Sequence, residues 1–210
     1  SNNATQTGGQ PCYDEVSLQF IVDDLPEAFA VPTTLTTTCD DEANSINQDG
    51  VFDFDTSGFL SAIIGTQTGM NVYYYDENNV LIPSAIPNQL PNPFRTATQN
   101  VTVIVENAIN NICTAQVIIP FVVNPTPKID QEENIIICIP DTQALIDAGI
   151  VDGTPISDYT YQWYFNNAIM PGQTGYSITV SSPGVYSVTV TNTFGCTKTN
   201  SMRCVYCFLE

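Results

Sequence analysis

The chain contains no histidine. That removes Ser-His-Asp and Cys-His catalysis and every zinc site built on imidazole. Positive charge is nearly as scarce, with Arg95, Lys128, Lys198 and Arg203 set against 22 acidic residues for a net charge of −18. A surface of that sign repels a phosphate backbone, which excludes nucleic acid as a partner. No run of 18 apolar residues occurs, so no transmembrane segment is expected. Phosphate-binding glycine loops and the G-x-S-x-G nucleophile motif are absent as well. With these missing, an enzyme is not expected; an acid pair for glycoside hydrolysis is the one mechanism left open.

What the chain does have is alternation. Segments such as VSLQFIV, VFDFD, NVYYYD, VTVIVEN, AQVIIPFVV, YTYQWYF, YSITV and VYSVTVTN repeat with period two, rich in Val, Ile, Tyr, Phe and Thr. Pro, Gly and Asn clusters break them, which reads as an all-β chain. Helix signals are almost lacking, and DTQALIDAGI (141–150) reads as a strand with an irregular start.

The pattern also repeats at a longer period. CYDEVSLQFIVDDLP (12–26) matches CTAQVIIPFVVNPTP (113–127) at Cys, Val, Leu/Ile, Phe, Val and Pro. QNVTVIVENAINNIC (99–113) matches GVYSVTVTNTFGC (184–196), and NVYYYDENNVLIP (71–83) matches YQWYFNNAIMPG (161–172). The chain is therefore a tandem array out of phase. Residues 1–27 are expected to be the last strand and exit of a truncated preceding module, 28–127 a β-sandwich repeat module and 128–210 an immunoglobulin-like β-sandwich module. In the second, Gly184-x-Tyr186-x-Val188 stands where an immunoglobulin domain has its corner tyrosine and core cysteine, and Trp163 lies on the preceding aromatic strand. The alternative is a core tryptophan of some other sandwich. Expected core residues are Trp163, Ile178, Tyr186, Val188 and Val190 in the second module, and Phe54, Val101, Val103, Val105, Phe121 and Val123 in the first.

Each module opens and closes on a cysteine, so the expected disulfides are Cys39–Cys113 and Cys138–Cys196. Cys12 would pair outside the chain. Cys204-Val-Tyr-Cys207 has redox spacing but lies on a strand, where residues three apart face opposite sides. The acidic segment CDDEANSINQDGVFDFD (39–55) offers hard oxygen ligands, and calcium is a candidate cofactor with Asp40, Asp41, Asp49, Asp53 and Asp55 as its ligands. The alternative is a solvated acidic loop with Asp53 and Asp55 on the wet face of a strand. Tyr74, expected to point opposite to Tyr73 and Tyr75, is the candidate glycan contact. The stripe Val16, Leu18, Phe20 and Val22 is expected to pack on the following module or to pair with an exposed strand edge, that of another molecule included.

These residues resemble a known family. VTVIVENAINNICTAQVIIPFVVNPTPKID, with its Cys-Asp-Asp start, resembles repeat modules of very large Bacteroidota cell-surface proteins, the gliding-motility adhesins and related type IX-secreted proteins. YQWYFNNAIMPGQTGYSITVSSPGVYSVTVTNTFGC is similar to the immunoglobulin-like modules that follow such repeats. The resemblance implies a secreted, outer membrane-attached stalk or adhesive module in surface attachment or gliding motility. Its partners would be neighbouring modules and a surface polysaccharide or other adhesion target. The alternative is a carbohydrate-binding module of a secreted multidomain enzyme.

Overall fold

The computed structural model describes residues 16–18, 25–41, 48–130, 136–139 and 143–206. Cys12, Phe20, Val22 and Cys207 lie outside them, as does most of the expected 1–27 fragment.

The first sandwich is built from β1 (Thr37–Cys39), β2 (Val51–Phe54), β3 (Met70–Tyr75), β4 (Phe94–Ala97), β5 (Gln99–Asn107) and β6 (Thr114–Asn124). One sheet runs β1-β6-β5-β3 and the other pairs β2 with β4. Alternation decides which side chains turn inward: Val101, Val103 and Val105 are fully buried on β5, as are Ile119 and Phe121 on β6. Phe121 is central, with the rings of Phe54, Phe94 and Phe59 at 4.9, 5.3 and 6.0 Å.

A short helix missed by the sequence reading, α1 (Phe59–Ile64), bridges β2 and β3. Its signal is small: Phe59 and Ile63, four apart, share one face and are both buried. Gly65 ends it with φ at 59°, a conformation that glycine adopts without strain. Burying the two side chains stabilises by about 1.5–3 kcal/mol each.

The second sandwich comprises β7 (Ile136–Ile139), β8 (Ala144–Asp147), β9 (Thr160–Phe165), β10 (Ala168–Ile169), β11 (Ser177–Val180), β12 (Gly184–Thr191) and β13 (Thr197–Tyr206). Its sheets are β10-β9-β12-β13-β7 and β11-β8. Trp163, Val188 and Val190 are fully buried, and Trp163 and Val188 are paired across β9 and β12. The Trp163 indole N–H donates to the Gly175 carbonyl at 2.9 Å. The Tyr186 hydroxyl donates to the Ser182 carbonyl at 3.0 Å, the tyrosine corner of an immunoglobulin-like sandwich. All the core residues expected in both modules are buried. The molecule is all-β, two immunoglobulin-like sandwiches in tandem.

Both sandwiches share one departure from antiparallel pairing. The opening strand lies parallel to the closing strand, β1 on β6 and β7 on β13. This pairing sets where the cysteines go.

Val16 and Leu18 are each 77% exposed within this chain, so at these two positions the leading stripe is not packed on the following module.

Candidate functional site: the joint between the sandwiches

The parallel register puts Cys39 opposite Asn124, the last residue of β6. The opening cysteine is thus carried to the exit of its own module. The Asp40 N–H donates to the Asn124 carbonyl at 2.8 Å, and the Thr126 hydroxyl donates to the Asp40 carbonyl at 3.1 Å. These bonds fasten the joint 124–128 to the end of β1.

From the other side comes the turn between β12 and β13. The Asn192 side-chain oxygen accepts the N–H groups of Phe194 and Cys196, both at 3.0 Å. The side-chain amide of Asn192 donates to the Pro125 carbonyl at 2.7 Å. Cys196 is thereby held against the first sandwich and forms a disulfide with Cys39, 157 residues away in sequence and with Cα atoms 5.7 Å apart. Lys198 adds a hydrogen bond from its Nζ to Gln48 Oε1 at 3.2 Å.

The expected pairs Cys39–Cys113 and Cys138–Cys196 are therefore wrong, for a geometric reason. Cys113 precedes β6 and Cys39 sits beside its far end, eleven residues along. At about 3.3 Å per residue the separation is about 36 Å, against the 4.4–6.8 Å between Cα atoms that a disulfide needs. Likewise Cys138 is paired with Val205, nine residues past Cys196, or about 30 Å along β13. Opening and closing cysteines of one module lie at opposite ends. The bond forms between the opening cysteine of one module and the turn cysteine of the next. Cys113 is a free thiol, and so is the fully buried Cys204. Burial pushes the Cys204 thiol up, so Cys204 is an apolar core residue with little nucleophilic character.

Beside the disulfide, a cleft of about 470 Å³ is lined by the joint residues Pro125, Thr126 and Lys128 and by residues of the second sandwich, among them Tyr159 and Phe194. Asp152 organises its floor. Its carboxylate accepts the Tyr159 hydroxyl at 2.5 Å and the backbone N–H groups of Thr154 at 2.9 Å and Lys128 at 3.4 Å. Burial is the largest single influence on Asp152 and pushes its carboxyl up. The hydrogen bonds from Tyr159, Thr154 and Lys128 together outweigh it and hold the carboxyl below its ordinary range. Tyr159 is pushed up, first by burial and then by its bond to Asp152.

The acidic residues do not converge. Asp49 and Asp53 flank Arg95 at 3.6 and 3.5 Å. Asp55 accepts the N–H of Ser57 at 2.9 Å, and that bond leads in holding its carboxyl low. Asp41 is exposed. Asp40 is 4% exposed and accepts the Gly50 N–H at 2.7 Å through Oδ2. Its Oδ1 has no hydrogen-bond partner among the described residues. Among those residues no three His, Cys, Asp or Glu side chains are placed to hold a metal. Residues 42–47, including Glu42 and Asn44, lie outside the description.

Tyr74 also corrects the sequence reading. It is paired with the fully buried Val103, so β3 turns Tyr74 inward and leaves Tyr73 and Tyr75 half-buried on the other face. Tyr74 is 3% exposed and donates its hydroxyl to the Asn88 carbonyl at 3.2 Å, which removes it as a glycan contact.

No helix among the described residues is long and apolar enough to cross a membrane. A disulfide between modules fits an oxidising, extracytoplasmic setting.

Residues 35–127 match the family model described as Flavobacterium inter-domain disulphide bond domain. No curated protein matches the chain in sequence. Among solved structures, the chain is similar to DIP-gamma IG1+IG2, at 10% identity over 67% of this chain and 84% of that one, with a TM-score of 0.34. It is similar to Drosophila OTK extracellular domains 3–5, at 15% identity, covering 74% and 55%, with a TM-score of 0.39. It is also similar to the Bacteroides ovatus glucan-utilisation protein SGBP-B, at 14% identity, covering 87% and 48%, with a TM-score of 0.29. The chain spans about half the length of the last two. The match falls on the first sandwich, the one that carries Cys39.

Proposed function

We propose that this chain is a stalk segment of a secreted, outer membrane-attached surface adhesin, serving attachment or gliding rather than catalysis. The observation that carries the reading is the Cys39–Cys196 bond between modules, which fixes one sandwich on the next. A stalk needs its joints held. Here the bonds of Asp40, Thr126, Asn192 and the disulfide all converge on residues 124–126. The net charge of −18 keeps such an array soluble and apart from its neighbours. Small-angle scattering tests this. The oxidised chain should scatter as a rod with a fixed angle between modules, and reduction should broaden its distribution of dimensions. Two sandwiches packed face to face in solution would overturn the proposal.

Calcium is a second element of this proposal, favoured by the unpartnered, buried Oδ1 of Asp40. Thermal unfolding with calcium and then with chelator tests it. A midpoint raised by calcium and not by magnesium, and lost in Asp40→Asn, is the expected result. At a hundred times the dissociation constant the gain is about 2.7 kcal/mol.

A further inference from the structure

The turn that delivers Cys196 has a twin in the first sandwich. Asn107 ends β5, as Asn192 follows the end of β12. The Asn107 N–H donates to the Cys113 carbonyl at 3.1 Å, and the Asn192 N–H to the Cys196 carbonyl at 3.0 Å. In each turn the asparagine side-chain oxygen accepts N–H groups inside the turn, from Ile109 and Asn110 in one and Phe194 and Cys196 in the other. Cys113 therefore stands where Cys196 stands, but its thiol is free. The surface around it differs in a telling way. Ile109 and Ile112 are 85% and 87% exposed, more than any other large apolar residue among those described. In the second sandwich the apolar residue of the same turn, Phe194, lines the cleft that the joint residues Pro125 and Thr126 also line.

We propose that Cys113 forms a disulfide with the opening-strand cysteine of a sandwich of the same type preceding β1, with Ile109 and Ile112 seated against that sandwich's exit. The partner is fixed by the repeat. The segment 12–26 carries the sequence pattern of 113–127, the closing strand and exit of this sandwich, so the repeat puts a closing segment of the same type ahead of it. The established joint supplies the geometry: an opening cysteine is carried by parallel pairing to its module's exit, where the next module's turn meets it. The inference rests on the tandem-array reading and deepens it, since every module would then be bonded to both neighbours.

The bond forms by exchange. The Cys113 thiolate attacks a small or protein disulfide carrier and expels one of its thiols. The opening cysteine's thiolate then attacks the mixed disulfide at the Cys113 sulfur and expels the second. Two cysteine thiols are oxidised to one disulfide and the carrier disulfide is reduced to two thiols.

The test is a concatenated chain in which a second copy of residues 28–123 is placed directly ahead of Asp23, refolded with oxidised glutathione and treated with a maleimide. Non-reducing peptide mapping should find Cys113 of the trailing copy linked to Cys39 of the leading copy and protected from alkylation. Cys39→Ser in the leading copy alone should abolish the Cys39–Cys113 peptide and leave Cys113 fully alkylated. The Cys39–Cys196 peptide in the same digest reports that the chain has folded. Full alkylation of Cys113 in the unsubstituted concatemer with Cys39–Cys196 intact overturns the proposal. Scattering from the same sample reads the array's shape separately, so a failed bond is not confused with a failed stalk.

Discussion

Asn192 spans the joint, using its side-chain oxygen to close its own turn and its side-chain amide to hold the Pro125 carbonyl of the preceding module at 2.7 Å. One residue therefore shapes the loop that presents Cys196 and also docks it. Asn192→Ala should destabilise the second sandwich by about 1–2 kcal/mol through the lost bonds. It should also slow formation of Cys39–Cys196 in a glutathione refolding assay, because the sulfurs no longer meet in a fixed geometry.

Removal of the bond itself should have a larger effect. Cys39→Ser with Cys196→Ser releases a loop spanning 157 residues. In the chain-entropy account a loop of that size contributes about 5 kcal/mol. Guanidinium unfolding should show the double variant losing most of that, with the two sandwiches now melting in separate transitions. Wild type in reductant should match it.

The tyrosine corner gives a cleaner test of one bond. Tyr186→Phe keeps the ring packed beside Phe165, with centroids 4.7 Å apart, and deletes only the hydroxyl that Ser182 accepts. A loss of about 0.5–1.5 kcal/mol is expected from urea unfolding. Gly184→Ala, two residues earlier, should cost more, because its Cβ would stand 2.4 Å from Phe165 Cε2. Overpacking of that kind costs about 1–3 kcal/mol.

Acid should loosen the cleft beside the disulfide. The Asp152 carboxyl is held below its ordinary range in the folded chain, so it contributes stability above the unfolded value of about 3.9. That contribution is lost as pH falls from there through the lower folded value. Unfolding midpoints recorded from about pH 5 down to pH 2 should drop more steeply in wild type than in Asp152→Asn. A variant as steep as wild type would show that other carboxylates set the acid limb.

The cores were legible because alternation is a local property. Val101, Val103 and Val105 announce their inward face wherever β5 happens to sit, and the Gly-x-Tyr-x-Val step announces the corner. Helix α1 was lost because six residues, five of them apolar, are too short a run for helical period to stand out against a background of strands. Tyr74 was lost to parity, since three tyrosines in a row alternate either way until Val103 is known to lie opposite Tyr74. The disulfide was lost for a topological reason. Cysteines at a module's beginning and end look paired in sequence, but a parallel opening strand places them at opposite ends of the sandwich. The missing information was strand direction, which no side chain states.

The disulfide also changes what happens when the array is pulled. Tension entering through the proline-containing segment 26–32 reaches Cys39 and crosses sulfur to sulfur to Cys196. It then runs along β13, out of the described chain. The disulfide is thus a covalent bypass, and the chain between the two cysteines cannot be drawn out to its contour length while the bond is oxidised. Reduced, the same stretch would let out about 500 Å of slack as its sandwiches unravelled, at about 3.3 Å per residue. The extensibility of the pair of sandwiches is therefore set by the redox state of one bond.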